Sequence, residues 1–250
     1  MINFGIKSEK TLDLLREDVK SVISYQDGKK ESQSFYNKNG DRTLRLHFDE
    51  NESISLKQET TFKNGHKTGF INYDEYDNKD SAGQNELNHK GQVISKFYNG
   101  DCEEQYQYDE NGRVKVVFYP NTGAKDIYEY DSNNLAIKQL SVKGENSMFG
   151  SLFGGPNKKL TTFENDKFGN IITMRVYDAE SKQLLFTQTN KINSQGDVIE
   201  SINLNGDGSV YSKIFYSYDY DNKNNWILKR DLDEKGNVQQ EQKRQISYYS

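Results

Sequence analysis

Of 250 residues only 33% are hydrophobic, too few for the thick two-sided core of an ordinary globule. Yet 17 Tyr and 13 Phe exclude a disordered chain, which is poor in aromatics, and point to a thin sheet with one Tyr-rich face. A net charge of −5, with Lys and Glu scattered rather than blocked, offers no basic stripe for nucleic acid, and no apolar run approaches the roughly 18 to 20 residues of a membrane-spanning helix.

The opening MINFGIKSEK lacks the apolar stretch of a signal peptide, as expected of a cytoplasmic chain or of the mature form of an exported one. Thr11–Asp18, TLDLLRED, reads as one or two helical turns, with Thr11 as N-cap and Leu12 and Leu15 on one side. This helical lead-in is placed to cover the otherwise open edge of the first strand, Val19–Tyr25. Hairpins follow to about Val142, and two prolines in the whole chain suit uninterrupted ladders.

The hairpins repeat one phrase: Asp or Asn, two residues, Gly or Asn, and two residues on an apolar side chain. Asn88–Gly91 leads to Val93, Asp109–Gly112 to Val114, Asp166–Gly169 to Ile171 and Asn193–Gly196 to Val198. Asp221–Asn224 leads to Trp226 and Asp233–Gly236 to Val238, whereas Asn37–Gly40 and Asp131–Asn134 are followed by Arg42 and Ala136. The Asp or Asn side chain accepts a bond from the backbone two residues on, and Gly or Asn takes the positive φ that closes the turn. Each copy is then a β-hairpin, and recurrence every 20 to 30 residues or so marks a repeat architecture.

Before the turns, Tyr106 and Tyr108, Tyr128 and Tyr130, and Tyr218 and Tyr220 stand two residues apart, which puts each pair on one strand face. Stacked hairpins line these rings into a ladder. Such a ladder serves as the core of a polar sheet or as a stacking platform for sugars or peptides.

Lys143–Lys159, KGENSMFGSLFGGPNKK, breaks the rhythm and reads as a long irregular loop. Its apolar residues, Phe149 and Phe153 among them, either tuck over the sheet or meet a partner. Because the hairpins on both sides spell the same repeat, the expectation is one β-repeat domain over 1–250. It comprises a lead-in (1–18), N-terminal hairpins (19–142), the loop (143–159) and C-terminal hairpins (160–250). The fold class is all-β: an antiparallel hairpin meander forming a curved sheet, closed in part, whose two end strands leave edges on which a second copy can pair.

Signs of catalysis are scarce. His47, His66 and His89 lie apart without metal-ligand spacing, and no nucleophile elbow, Walker loop or dinucleotide fingerprint occurs. Cys102 is the one cysteine, so it makes no internal disulfide, and its neighbours Asp101, Glu103 and Glu104 oppose a reactive thiolate. Asn203–Ile214 resembles a calcium loop, but Ile214 stands where a bidentate Glu is needed, so the stretch reads as a Gly-rich hairpin turn. Neither a cofactor nor a metal is expected, and no acid–base pair stands out.

The dipeptide Tyr-Asp occurs seven times, from Tyr73 to Tyr220. YQYDENGRV and YDYDNKNNWILKR resemble the YD repeats of RHS-type proteins, especially short YD-repeat proteins of Bacteroidetes-like bacteria, and LLREDVKSVISYQDG is similar to the start of the mature region in those proteins. The resemblance implies hairpin sheets that curl, in exported or cell-surface proteins whose repeats bind, adhere or encapsulate rather than catalyse. TFKNGHKTGF and FYNGDCEEQY are similar to MORN-type hairpin repeats, which imply binding or antitoxin-like proteins. The leading expectation is a non-catalytic binding or structural protein of a bacterial cell envelope, or a secreted one, with a glycan or protein partner. Tyr106, Tyr108, Tyr128, Tyr130, Tyr218, Tyr220, Phe149 and Phe153 are its candidate contacts. The alternatives are an immunity protein that binds a toxin and a glycan-active enzyme.

Overall fold

The computed structural model describes residues 15, 18–63, 65–144 and 156–250, and every regular element among them is a β-strand. The first seven are β1 (Val19–Gln26), β2 (Lys29–Tyr36), β3 (Arg42–Phe48), β4 (Ile54–Lys63), β5 (His66–Tyr73), β6 (Lys79–Leu87) and β7 (Val93–Tyr98). Then come β8 (Asp101–Tyr108), β9 (Val114–Tyr119), β10 (Ala124–Tyr130), β11 (Ala136–Val142), β12 (Lys158–Asn165) and β13 (Ile171–Asp178). The last are β14 (Leu184–Ile192), β15 (Val198–Asn205), β16 (Val210–Tyr220), β17 (Trp226–Leu232) and β18 (Val238–Tyr248). The all-β, antiparallel meander expected from the turn phrases is what the chain forms.

The described residues divide into two compact units. A central unit holds Cys102–Phe215, and a terminal unit holds the residues up to Asp101 together with Tyr216–Ser250. In the central unit the strands from β8 to β16 pair antiparallel in chain order. In the terminal unit β2 to β7 do the same, and β1 sits between β2 and β18, which in turn pairs with β17.

The ends of the chain thus correct two expectations. The free edge of the first strand is taken by the last, with Val22 opposite Ile246 and Ser24 opposite Arg244, so β1 and β18 cover each other's edges. A lead-in is not needed as an edge cover. Of the residues expected to form helical turns, only Leu15 and Asp18 are described, and neither is helical; the rest of Thr11–Asp18 lies outside the described residues. Leu15 is buried against Val19, Val22 and Tyr36, with Ile246 and Tyr248 alongside. The 143–159 loop also falls largely outside the described residues, and β12 already begins at Lys158.

The repeated turn has one geometry. At Asp109 the carboxylate Oδ1 accepts from the amides of both Asn111 (3.0 Å) and Arg113 (2.9 Å). The Gly112 amide donates to the Asp109 carbonyl at 3.0 Å, and the Asp109 amide to the Arg113 carbonyl at 2.8 Å. The same pair of side-chain bonds recurs at Asp131, Asp166, Asn193 and Asp221. The second bond, from four residues on, is absent from the simple turn chemistry and ties the turn to the returning strand. Gly112 has φ 77° and Asn134 φ 63°, the left-handed region that selects Gly or Asn there. Asn205–Gly208 closes in the same way, a hairpin turn, with Asp207 Oδ1 accepting from the Ser209 amide at 2.9 Å.

Each such turn is followed by a register shift, as between Gln107 and Tyr108 opposite Val116 and Val114. The skipped residue is a β-bulge, and it resets which face the returning strand presents. Val114 and Val117, three apart, therefore both reach the face of Tyr106 and Tyr108 and form a buried cluster with Tyr128. Burying a valine this fully contributes about 1.5 to 3 kcal/mol. The opposite face of the central unit carries cross-strand ion pairs: Glu129–Lys138 at 2.8 Å, Glu164–Arg175 at 2.5 Å, and Glu200 with Lys191 (2.5 Å) and Lys213 (3.3 Å).

Candidate functional site

Two mid-strand glycines open a groove in the terminal unit. Across β4 to β7, Thr61, Gly69, Gln84 and Phe97 stand in one cross-strand row, and Thr60, Phe70, Gly83 and Tyr98 in the next. Gly69 (φ 152°) passes so close to β6 that a Cβ on it would lie 2.1 Å from the Gly83 carbonyl oxygen. Gly83 has no side chain because the Phe70 ring occupies that space, 2.3 Å from where a Cβ would be. An aromatic laid over a strand glycine restores packing that the glycine gives up, and Phe70 leans on toward Tyr98, with ring centroids 6.4 Å apart.

The resulting groove measures about 1070 Å³ and has Phe70 and Phe97 in its lining. Its polar wall includes Thr61, Thr68, Gln84, Asn85 and Glu86, and its ends carry Lys63, His66, Lys79 and His89. Thr68 donates to Thr61 at 3.3 Å. Asn88 belongs to the wall but is engaged in its own turn, accepting from the amides of Lys90 (2.9 Å) and Gln92 (3.1 Å). The His66 ring lies against Gly91 of the neighbouring turn, where a Cβ would come within 2.5 Å of it. On this face the Phe97 ring, flanked by hydroxyl, amide and charged groups, can hold an amphipathic, hydroxyl-rich ligand. Among the described residues no three His, Cys, Asp or Glu side chains are grouped to hold a metal.

The residues singled out from sequence lie elsewhere. Tyr106, Tyr108 and Tyr130 pack around Val114, Val117 and Tyr128 in the central unit. Two of their hydroxyls donate within the unit, Tyr130 to the Val114 carbonyl at 2.7 Å and Tyr106 to Glu104; the neighbouring Tyr119 donates to Asp126 at 3.0 Å. Burial pushes the Tyr119 and Tyr130 phenols up to about 12, and those of Tyr106 and Tyr128 are raised too, also by burial first. Tyr218 stacks on Tyr220 at 6.0 Å and meets Trp226 edge-on at 6.4 Å, while the Arg244 guanidinium lies 3.5 Å over Trp226.

A smaller groove of about 440 Å³ nearby is lined by Asp219, Asp221, Arg244 and Tyr248 among others. Neither groove is lined by any of the six tyrosines, and Phe149 and Phe153 lie outside the described residues. His66 and His89, set aside for want of ligand spacing, are brought to one groove. The sequence signal that marks this place, and that the repeat phrases do not contain, is the pair of glycines inside strands, Gly69 and Gly83, since such glycines mark bulges or close approach of a ligand or backbone.

No family model matches the chain, and no curated protein does. Among solved structures it is similar to a porin-like protein from Bacteroides uniformis, with a TM-score of 0.43 and 11% identity over 92% of this chain and 96% of that one. A porin-like protein from Bacteroides vulgatus gives 0.36 and 8% over 94% and 99%. The crystal structure of TcdB2-TccC3-Cdc42 gives 0.37 and 11% over 91% of this chain, which spans only 16% of that one. Among the described residues no helix is long and apolar enough to cross a membrane.

Proposed function

We propose that this chain is a non-catalytic, YD-type β-repeat protein of a bacterial cell envelope that binds a glycan in the groove over Gly69 and Gly83. The observation that carries the reading is the groove itself, where Phe97 stands beside the backbone floor left by Gly69, with hydroxyl and amide groups of Thr61, Thr68 and Gln84 around it. Non-catalysis is supported by the lining, in which Glu86 is the one carboxylate; glycoside hydrolysis ordinarily uses two. The ion pairs on the open face of the central unit favour water rather than lipid there, because a lysine or arginine facing the bilayer midplane costs about 2 to 4 kcal/mol. The envelope assignment leans on the Tyr-Asp phrasing, and fractionation of the native host cell checks it.

Calorimetry against a panel of oligosaccharides tests the binding. Phe97→Ala is expected to weaken the best binder at least tenfold, while the double change Tyr218→Ala with Tyr220→Ala leaves it in place. Retention in the first variant and loss in the second would move the site to the tyrosine ladder and end the groove reading.

A further inference from the structure

We infer that the groove selects an acidic oligosaccharide, one carrying carboxylate or sulfate groups along its length; this rests on the glycan-binding reading above. The chain as a whole is acidic, at −5, yet the groove is lined by Lys63 and Lys79 against the single carboxylate of Glu86, with His66 and His89 adding two imidazoles. A local excess of cation inside an anionic protein is a means of drawing and orienting an anionic ligand, since clefts focus the field of the charges that line them.

The placement of these charges says more than their number. Lys63 ends β4 directly opposite His66, the first residue of β5, and His89 stands in the turn that follows β6. These three belong to one end of the hairpins. Lys79 is the first residue of β6, and therefore belongs to the other end. From Lys79 to Leu87 the strand rises eight residues, roughly 26 Å. A single sugar acid cannot meet cations at both ends, whereas an oligomer with repeated anionic groups can. Between the ends lies Phe97, which shares the face of Thr61 and Gln84 and offers a ring face to the apolar face of an intervening sugar. Lysine suits this task, being a mobile point charge that follows an anion without the fixed fork of arginine.

The test compares three probes by calorimetry on the whole chain at low and moderate salt: a hexamer of galacturonic acid, the same hexamer fully methyl-esterified, and a sulfated oligosaccharide of similar length. At least one acidic probe is expected to bind tenfold or more tighter than the neutral ester, and to weaken as salt rises. The tighter of the two acids identifies the anionic group. Lys63→Gln and Lys79→Gln, both surface changes, should each reduce acidic binding several-fold and flatten its salt dependence; no change in either would overturn the acidic preference. Equal affinity for ester and acid, itself lost in Phe97→Ala, would overturn the acidic preference and leave the glycan reading standing. Silence of all three probes, together with silence across the wider panel of oligosaccharides, would sink both.

Discussion

Asp109 is the place to test whether the repeated carboxylate is a construction device. Replacing it with alanine removes two amide bonds, from Asn111 at 3.0 Å and Arg113 at 2.9 Å, and the ion pair to the Arg113 guanidinium at 2.7 Å. The Asn111 amide is exposed and turns to water, so its loss costs near the net value of a neutral bond, about 0.5 to 1.5 kcal/mol. The Arg113 amide is part-buried, and a bond to a charged acceptor there is worth about 1.5 to 3 kcal/mol. The ion pair adds up to about 1 kcal/mol, discounted for solvent. The expected loss for Asp109→Ala is therefore about 3 kcal/mol, and about 1 kcal/mol for Asp109→Asn, which keeps the accepting oxygen but not the charge. Urea unfolding measures both as midpoint shifts at constant slope. If Asn costs as much as Ala, or Ala costs less than about 1 kcal/mol, the capping argument fails.

The same residue gives a pH signature. Burial alone would raise its carboxyl, but the Arg113 amide and guanidinium and the Asn111 amide outweigh it and hold the folded pKa below the ordinary 3.8. A depressed carboxylate contributes stability above its unfolded value, and that stability is lost as pH falls through the folded one. Asp109→Asn should therefore close part of its gap to the parent chain between pH 5 and 2; a gap that stays constant contradicts this. His47 carries the same sign at higher pH and by another cause: burial first, then Arg45 and Arg42, lower its pKa from 6.5 against the pull of Glu31. The unfolded chain takes the proton first, so stability falls as pH drops from 6.5 toward the folded value, and His47→Gln should flatten melting temperature against pH across that range. Gly69→Ala should lower stability by about 2 to 3 kcal/mol or more, because its methyl would meet backbone; Gly83→Ala should cost less, because the Phe70 ring can swing aside. Thermal melts that rank these two the other way would refute the packing described for the groove. Tyr130→Phe should cost about 1 kcal/mol in the same melts for the lost bond to the Val114 carbonyl, and no loss would show that water replaces it.

Much of this architecture is legible in the sequence because the turns are chemically determined. Asp109 and Gly112 specify a hairpin without help from the rest of the chain, and so do Asp166 and Gly169. The bulge after each turn is harder to read. Strict alternation would group Val114 with Val116 and Phe118, whereas the skipped register groups Val114 with Val117 and leaves Phe118 exposed. The partner of β1 is also invisible locally, since Val22 meets Ile246 from the far end of the chain and no turn joins them. Local chemistry fixes neighbours in sequence, and only the closing contacts of the whole sheet fix the rest.

The candidate site eluded the sequence for a related reason. Repetition drew attention to Tyr106, Tyr108, Tyr128 and Tyr130, but a side chain recurring in register fills its row with its own neighbours, and these tyrosines are spent on Val114, Val117, Glu104 and one another. A groove in such a sheet needs the opposite, a row from which side chains are missing. Gly69 supplies that gap in the row of Thr61, Gln84 and Phe97, pressed against the Gly83 backbone of the adjoining strand, while in the next row Phe70 fills the space over Gly83. In a sheet built from one repeated phrase, binding capacity is therefore to be sought where glycine stands inside a strand rather than in the turn, with charged residues such as Lys63 and Lys79 gathered around the gap.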